Sequence, residues 1–237
     1  MLQIKNLSVK VGEKQILNQI SFDFETGKNY CILGKNGSGK SSLAMTLAGN
    51  PKYEISEGEL LLDGQNLTEM SPDERNKAGI FLTFQNIPEV PGVKLFEFLK
   101  TIYDARAEKP STFLEFKKII EPLMAELEIE KAFLWRDLNV GFSGGEKRKI
   151  EVLQIKLLKP KYIILDEIDS GLDVNAVRQV AELLKAVNTQ ENSFIVITHL
   201  FEMLQELPLE KILILEQWKI KAIGGRELME QVRKEGF

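Results

Sequence analysis

The stretch Gly34-Lys35-Asn36-Gly37-Ser38-Gly39-Lys40-Ser41 decides the fold of this chain. It follows a compact apolar run, residues 29–33, and precedes a segment, residues 40–48, with the pattern of a helix. The sequence therefore predicts strand, glycine-rich loop and helix in immediate succession. Glycines let successive backbone N–H groups turn inward around an anion, and the positive end of the following helix faces the same anion. In this spacing Lys40 puts a cation on the terminal phosphates of a nucleoside triphosphate, and the Ser41 hydroxyl is suited to ligate Mg²⁺. Residues 34–42, ending at Ser42, are the candidate ATP-binding loop. A glycine-rich turn without a ligand is the plainer alternative, and the strand and helix on either side argue against it.

Working outward, Tyr162-Ile163-Ile164-Leu165-Asp166-Glu167 reads as the strand that partners the loop. Asp166, at the end of a buried strand, is suited to hold Mg²⁺ through water. Glu167 on the same edge can polarise a water for attack on a γ-phosphate. Short apolar runs at 80–84, 194–198 and 212–215 alternate with helical stretches, the layout of a mostly parallel sheet wrapped by helices. Alternation in residues 2–24 and 59–62 predicts strands with one wet face. Ser71-Pro72-Asp73-Glu74 is a capping box with proline at the first helical position, so a short helix is expected there. Residues 93–135 are expected to be helical, with a break at Lys109-Pro110-Ser111.

The bulk properties narrow the class. With 237 residues, 43% hydrophobic and 28% charged, the composition is that of a globular protein with one sizeable core. A formal net charge of −4 gives no support for nucleic-acid binding. No apolar run reaches the roughly 20 residues of a membrane span, and Met1-Leu2-Gln3-Ile4-Lys5 lacks the apolar segment of a signal peptide, so a cytoplasmic location is expected. One cysteine, Cys31, excludes an internal disulfide and a multi-cysteine metal site. Between Tyr30 and Ile32 it reads as a small apolar residue of a buried strand.

Gly141-Phe142-Ser143-Gly144-Gly145-Glu146-Lys147-Arg148 carries two readings. Ser143 and Glu146 form a capping box, which needs no ligand. The same physics makes an anion site, offered to a γ-phosphate bound by a second subunit, with Ser143 and Gly145 in contact across the interface. Phe81-Leu82-Thr83-Phe84-Gln85 ends a strand with glutamine where the helical segment begins. Ile195-Val196-Ile197-Thr198-His199 ends a later strand with the single histidine, a candidate γ-phosphate sensor.

In this order the motifs resemble the nucleotide-binding subunits of the ABC family over nearly the whole chain. The resemblance implies an α/β P-loop ABC-ATPase fold: a RecA-like parallel-sheet core, an N-terminal antiparallel β subdomain and a helical insertion subdomain. It implies one ABC ATPase domain over 1–237, with 1–92 and 141–237 forming the core and β subdomain and 93–140 the helical part. It implies ATP and Mg²⁺ as cofactors, catalysis by Lys40, Gln85, Glu167 and His199, and Mg²⁺ held by Ser41, Gln85 and Asp166. Ser143, Gly144, Gly145 and Glu146 would act in trans, with Asp173 of Ser170-Gly171-Leu172-Asp173 in the loop that crosses between subunits. Many members stack an aromatic residue on adenine from the first strand region. Here that stretch is Ser8-Val9-Lys10-Val11, so the adenine grip is expected to be weaker or to come from elsewhere.

Within that family, Glu146 in place of glutamine, the continuation Lys147-Arg148-Lys149-Ile150-Glu151-Val152-Leu153-Gln154 and the run Glu167-Ile168-Asp169-Ser170 after the second motif are similar to the ATPases of the Suf iron–sulfur cluster assembly system, the SufC group. Asn86-Ile87-Pro88-Glu89-Val90-Pro91-Gly92-Val93 agrees. This resemblance implies SufB and SufD-like scaffold subunits as partners, a transient ATP-dependent homodimer, and no role for nucleic acid or membrane insertion. The ATPase subunit of a membrane transporter is the alternative.

Overall fold

The computed structural model describes residues 1–168, 174–198, 204 and 206–236. Its contacts divide the chain into two compact units, one formed by residues 1–83, 160–169 and 188–237, the other by 84–159 and 170–187.

The first unit is built on two sheets. β1 (Leu2–Val11), β2 (Lys14–Phe24), β4 (Glu54–Leu62) and β5 (Gln65–Asn66) form an antiparallel sheet in the order β2-β1-β4-β5. The second sheet has six strands in the order β12-β11-β3-β10-β9-β6. These are β3 (Asn29–Leu33), β6 (Ile80–Leu82), β9 (Tyr162–Asp166), β10 (Ser193–Ile197), β11 (Leu209–Glu216) and β12 (Lys219–Gly224). All neighbours run parallel except the β11–β12 hairpin. β3, β9 and β10 are buried along their whole lengths, as central strands covered on both faces must be. Cys31 sits in β3 with no exposed surface, and burial pushes its thiol well above the ordinary range.

Leu2, Ile4, Leu7 and Val9 of β1 share one apolar core with Leu43 and Leu47 of α1 (Lys40–Leu47) and with Ile164, Ile195 and Leu213 of the parallel sheet. The sequence reading started β4 at Glu59; the strand begins at Glu54 because Ile55 to Glu57 keep pairing with β1 although Glu54, Ser56 and Glu57 face water. α2 (Pro72–Ala78) begins at the expected capping box on Ser71 and Glu74. Its Arg75 is buried and donates to the carbonyls of Thr46 and Leu47, satisfying orphan acceptors at the end of α1.

In the second unit the expected helical stretch is interrupted. Val90–Lys94 is a strand, β7, paired with Asp137–Leu138, β8. The Asp137 carboxylate accepts from the Gly92 amide at 3.0 Å and from Lys94 at 2.7 Å, which holds this short ladder. α3 (Leu95–Asp104) and α4 (Phe113–Glu126) follow, broken where Pro110 stands, and a 3-10 turn spans Lys131–Trp135. Phe96 joins them by ring contacts with Phe113 at 4.8 Å, Phe116 at 5.3 Å and Trp135 at 5.3 Å. α5 (Gly144–Leu158) lies beside α6 (Val174–Val187). The chain ends with α7 (Arg226–Glu235), in the first unit.

Candidate nucleotide site

β3 ends at Leu33 and α1 begins at Lys40, so the loop between them stands at the carboxyl edge of the parallel sheet, where open α/β sheets bind ligands. Gly34 has φ 155°, and a Cβ there would come within 2.3 Å of the Leu215 carbonyl. Gly39, the N-cap of α1, has φ 108° and its Cβ would lie 2.8 Å from Leu17. Neither position admits another residue, so the loop curls tightly against β2 and β11. α1 has no side-chain cap and no acid in its first turn, leaving its N–H groups and positive dipole end for an anion. Ser38 Oγ is buried and has no hydrogen-bond partner, a polar atom in need of one. Lys35, Asn36 and Gly37 are exposed, whereas Gly34, Ser38, Gly39 and Lys40 are buried and Ser41 and Ser42 partly so.

Lys40 Nζ donates to the carbonyls of Gly34 at 2.8 Å and Lys35 at 3.2 Å. Burial lowers its pKa, opposed by the charges of Glu167 and Asp166. Ser41 Oγ donates to Asp166 Oδ1 at 3.2 Å. Asp166 is 2% exposed, and burial pushes its carboxyl up to about 6, against the Ser41 hydrogen bond. Its amide is held by Thr83 Oγ1 at 3.2 Å. Glu167 leaves the strand in a left-handed conformation, φ 48°, with its N–H bonded to the Ile197 carbonyl at 2.8 Å. A non-glycine residue there is strained, and such strain gathers at functional sites. Lys40, Ser41, Asp166 and Glu167 thus come together at one edge of the sheet.

Gln85 and the run Ser143 to Glu146 belong to the second unit. Ser143 caps α5: its N–H donates to Glu146 Oε2 at 2.7 Å, and its Oγ accepts from the Glu146 amide at 3.3 Å. The capping box read from the sequence is therefore closed. Gly145 has open space at its Cβ position, and Gly144 opens the helix at Ser143's side. Arg136 lies over the rings of Phe133 at 4.6 Å and Phe142 at 4.4 Å and donates to the Gly141 carbonyl at 3.2 Å, fixing the approach to the helix. Asp173 and His199, with Ser170, Gly171 and Leu172, lie outside the described residues.

Sequence reasoning missed a buried pair on α5. Arg148 and Glu151 meet at 2.6 Å with side chains 4% exposed. Arg148 also donates to the carbonyls of Phe84 at 2.8 Å and Gln85 at 3.3 Å, while Glu151 accepts from the Phe84 amide at 2.9 Å. The backbone at Phe84 and Gln85 is therefore clamped to α5. Burial raises the Glu151 pKa, opposed by Arg148.

A loop of this form, with an acid-ended strand beside it, defines a P-loop nucleotide-hydrolysing protein. The family model described as ABC transporter matches residues 17–170, and the chain belongs to the ABC family as an ATP-binding, ATP-hydrolysing cassette. It is 41% identical over its full length to "Probable ATP-dependent transporter ycf16" of Antithamnion sp., covering 96% of that protein. It is 38% identical over its full length to "Probable ATP-dependent transporter SufC" of Escherichia coli (strain K12), covering 97% of it. The fold matches the crystal structure of the ADP conformation of MJ1267, an ATP-binding cassette of an ABC transporter, with a TM-score of 0.82 at 22% identity, over 99% of this chain and 95% of that one. Among the described residues no helix is long and apolar enough to cross a membrane.

Proposed function

We propose that this chain is a Mg²⁺-dependent ATPase that powers iron–sulfur cluster assembly, working as an ATP-induced homodimer on soluble scaffold subunits of the SufB and SufD type in the cytoplasm. The observation that carries the catalytic part is the meeting of Lys40, Ser41, Asp166 and Glu167 at the head of α1. Backbone N–H groups of residues 34–42 hold the phosphates, and Lys40 exchanges its loop carbonyls for phosphate oxygens. Glu167 orients a water and takes up its proton as the water oxygen attacks the γ-phosphorus; the bond to the β–γ bridging oxygen breaks, and ADP and phosphate leave.

The oxygen donors fit magnesium. Ser41 Oγ and the Asp166 carboxylate are adjacent hard ligands, and a buried carboxylate with a raised pKa gains from a neighbouring cation. Gln85 completes the proposed donor set. The ion supplies neutralisation of phosphate charge. Ser143, Gly144, Gly145 and Glu146 serve the nucleotide of the second copy, and Asp173 and His199 complete the site as crossing-loop acid and γ-phosphate sensor. The proposed division is one ATPase domain over 1–237 with residues 93–140 as its helical subdomain and 1–92 and 141–237 as its core, whereas the contacts group 84–159 with 170–187.

The assembly role is supported by full-length similarity to the Escherichia coli protein whose name carries SufC. The word "transporter" in that name and in the family description favours a second reading, the ATPase subunit of a membrane transporter. Affinity capture of the Glu167→Gln variant from native cell extract with Mg-ATP separates the two. Recovery of soluble scaffold proteins that carry cluster-ligating cysteines supports assembly, and recovery of an integral membrane partner overturns it.

A further inference from the structure

The turn between β11 and β12 is made of residues that turn chemistry does not favour. Glu216 and Lys219 pair, leaving Gln217 and Trp218 as a two-residue loop. Both have positive φ, 46° and 66°, as in a type I′ turn, where asparagine and glycine are preferred. A bulky aromatic residue in left-handed backbone is strained. A broken local rule at the tip of a paired hairpin points to a use for the side chain itself.

That hairpin flanks the phosphate loop. The Leu215 carbonyl lies against Gly34, so closely that a Cβ there would stand 2.3 Å away. The Trp218 carbonyl accepts from the Asn18 amide at 2.9 Å, fastening the turn to β2. The indole Cδ1 lies 3.8 Å from the point a Cβ on Gly39 would occupy, on a loop whose other neighbours there are Leu17 and the Ile16 carbonyl. Trp218 nevertheless remains 37% exposed. A partly exposed indole therefore stands beside the N-cap of α1.

We propose that Trp218 is an aromatic contact for the base of the nucleotide whose phosphates occupy residues 34–42. The inference rests on reading that loop as the ATP site. A nucleotide presents an anionic end and a flat heterocycle, and the loop and the indole are complementary surfaces for the two. Stacking uses the π-face that every base has, so Trp218 strengthens binding with little discrimination between bases.

The test uses the full chain. It has two tryptophans, so Trp135→Phe leaves Trp218 as the sole emitter. ADP is expected to quench or shift that emission. Inorganic tripolyphosphate is expected to displace ADP and return the emission to that of the free protein. By calorimetry Trp218→Gly, the residue the turn prefers, is expected to raise the ADP dissociation constant about tenfold and leave tripolyphosphate binding unchanged, with Trp218→Phe restoring most of the ADP affinity. ADP binding with silent emission and unaltered affinity in Trp218→Gly overturns the proposal. Equal weakening of ADP and tripolyphosphate also overturns it, by making Trp218 a support of the loop. Failure of both ligands to bind the wild-type chain refutes the ATP-site reading and this proposal with it.

Discussion

α1 and α5 both begin beside glycines and treat their first N–H groups in opposite ways. α1 starts at Gly39 with no side-chain cap and no acid in its first turn. α5 starts at Ser143 with a closed capping box and Glu146 in its first turn. The first helix end keeps its positive partial charge for a ligand; the second has bonded the amides of Ser143 and Glu146 to its own side chains. An anion at α1 meets an open site, whereas an anion at α5 competes with the Glu146 carboxylate. The contrast supports the proposal that the chain's own phosphates sit at α1 and that α5 serves a phosphate presented by another body.

The largest effect separates the two ends directly. Lys40→Ala is expected to lower ATP hydrolysis, read as phosphate release, by about two orders of magnitude or more. Ser143→Ala is expected to lose hydrolysis yet leave the ADP affinity of the isolated chain unchanged. A loss of ADP affinity there would put Ser143 in the chain's own site and erase the contrast.

Next comes the buried pair that clamps Phe84 and Gln85 to α5. Removing one partner strands a buried charge, so Arg148→Met and Glu151→Leu are each expected to lower unfolding free energy in urea by about 3–5 kcal/mol. The double variant is expected to be less destabilised than the sum. Simple additivity would show that the pair is not coupled.

A smaller effect follows from Asp166. Its folded pKa, about 6, stands above the unfolded value of 3.8. The native state therefore holds this proton more tightly, and the stabilisation is full below pH 3.8 and lost as pH rises through about 6. At neutral pH the buried charge is a liability, and Asp166→Asn is expected to raise the stability of the nucleotide-free chain by about 1–2 kcal/mol while abolishing hydrolysis. A less stable Asp166→Asn would contradict this account of the carboxylate. Smallest is the capping box itself: Glu146→Ala is expected to cost about 1 kcal/mol, and Glu146→Gln, which keeps an acceptor, less.

The phosphate-loop end was more legible in the sequence than the rest. β3, the loop and α1 stand where residues 29–48 predict them, because an apolar run, glycines and a helical pattern agree locally. The capping boxes expected at Ser71 and Ser143 form, and Thr112 with Glu115 forms a third by the same rule. What stayed hidden depends on distant partners. Val90-Pro91-Gly92 looks like a turn and becomes strand through Asp137. Arg148 and Glu151 look like a solvated helix face, and their burial is set by the chain near Phe84. Gln217-Trp218 carries no turn residue, so the β11–β12 hairpin gave no local signal.

The account stands most directly on a mixing experiment. Lys40→Ala disables the α1 end, and Gly145→Asp, placed where the structure leaves open space, puts a negative charge at the α5 end. Each variant alone is expected to be inactive. Mixed with Mg-ATP, they are expected to regain a measurable fraction of wild-type phosphate release, because a mixed dimer holds one intact α1 end facing one intact α5 end. A mixture as inactive as its components would contradict the claim that the two ends meet across two copies of the chain.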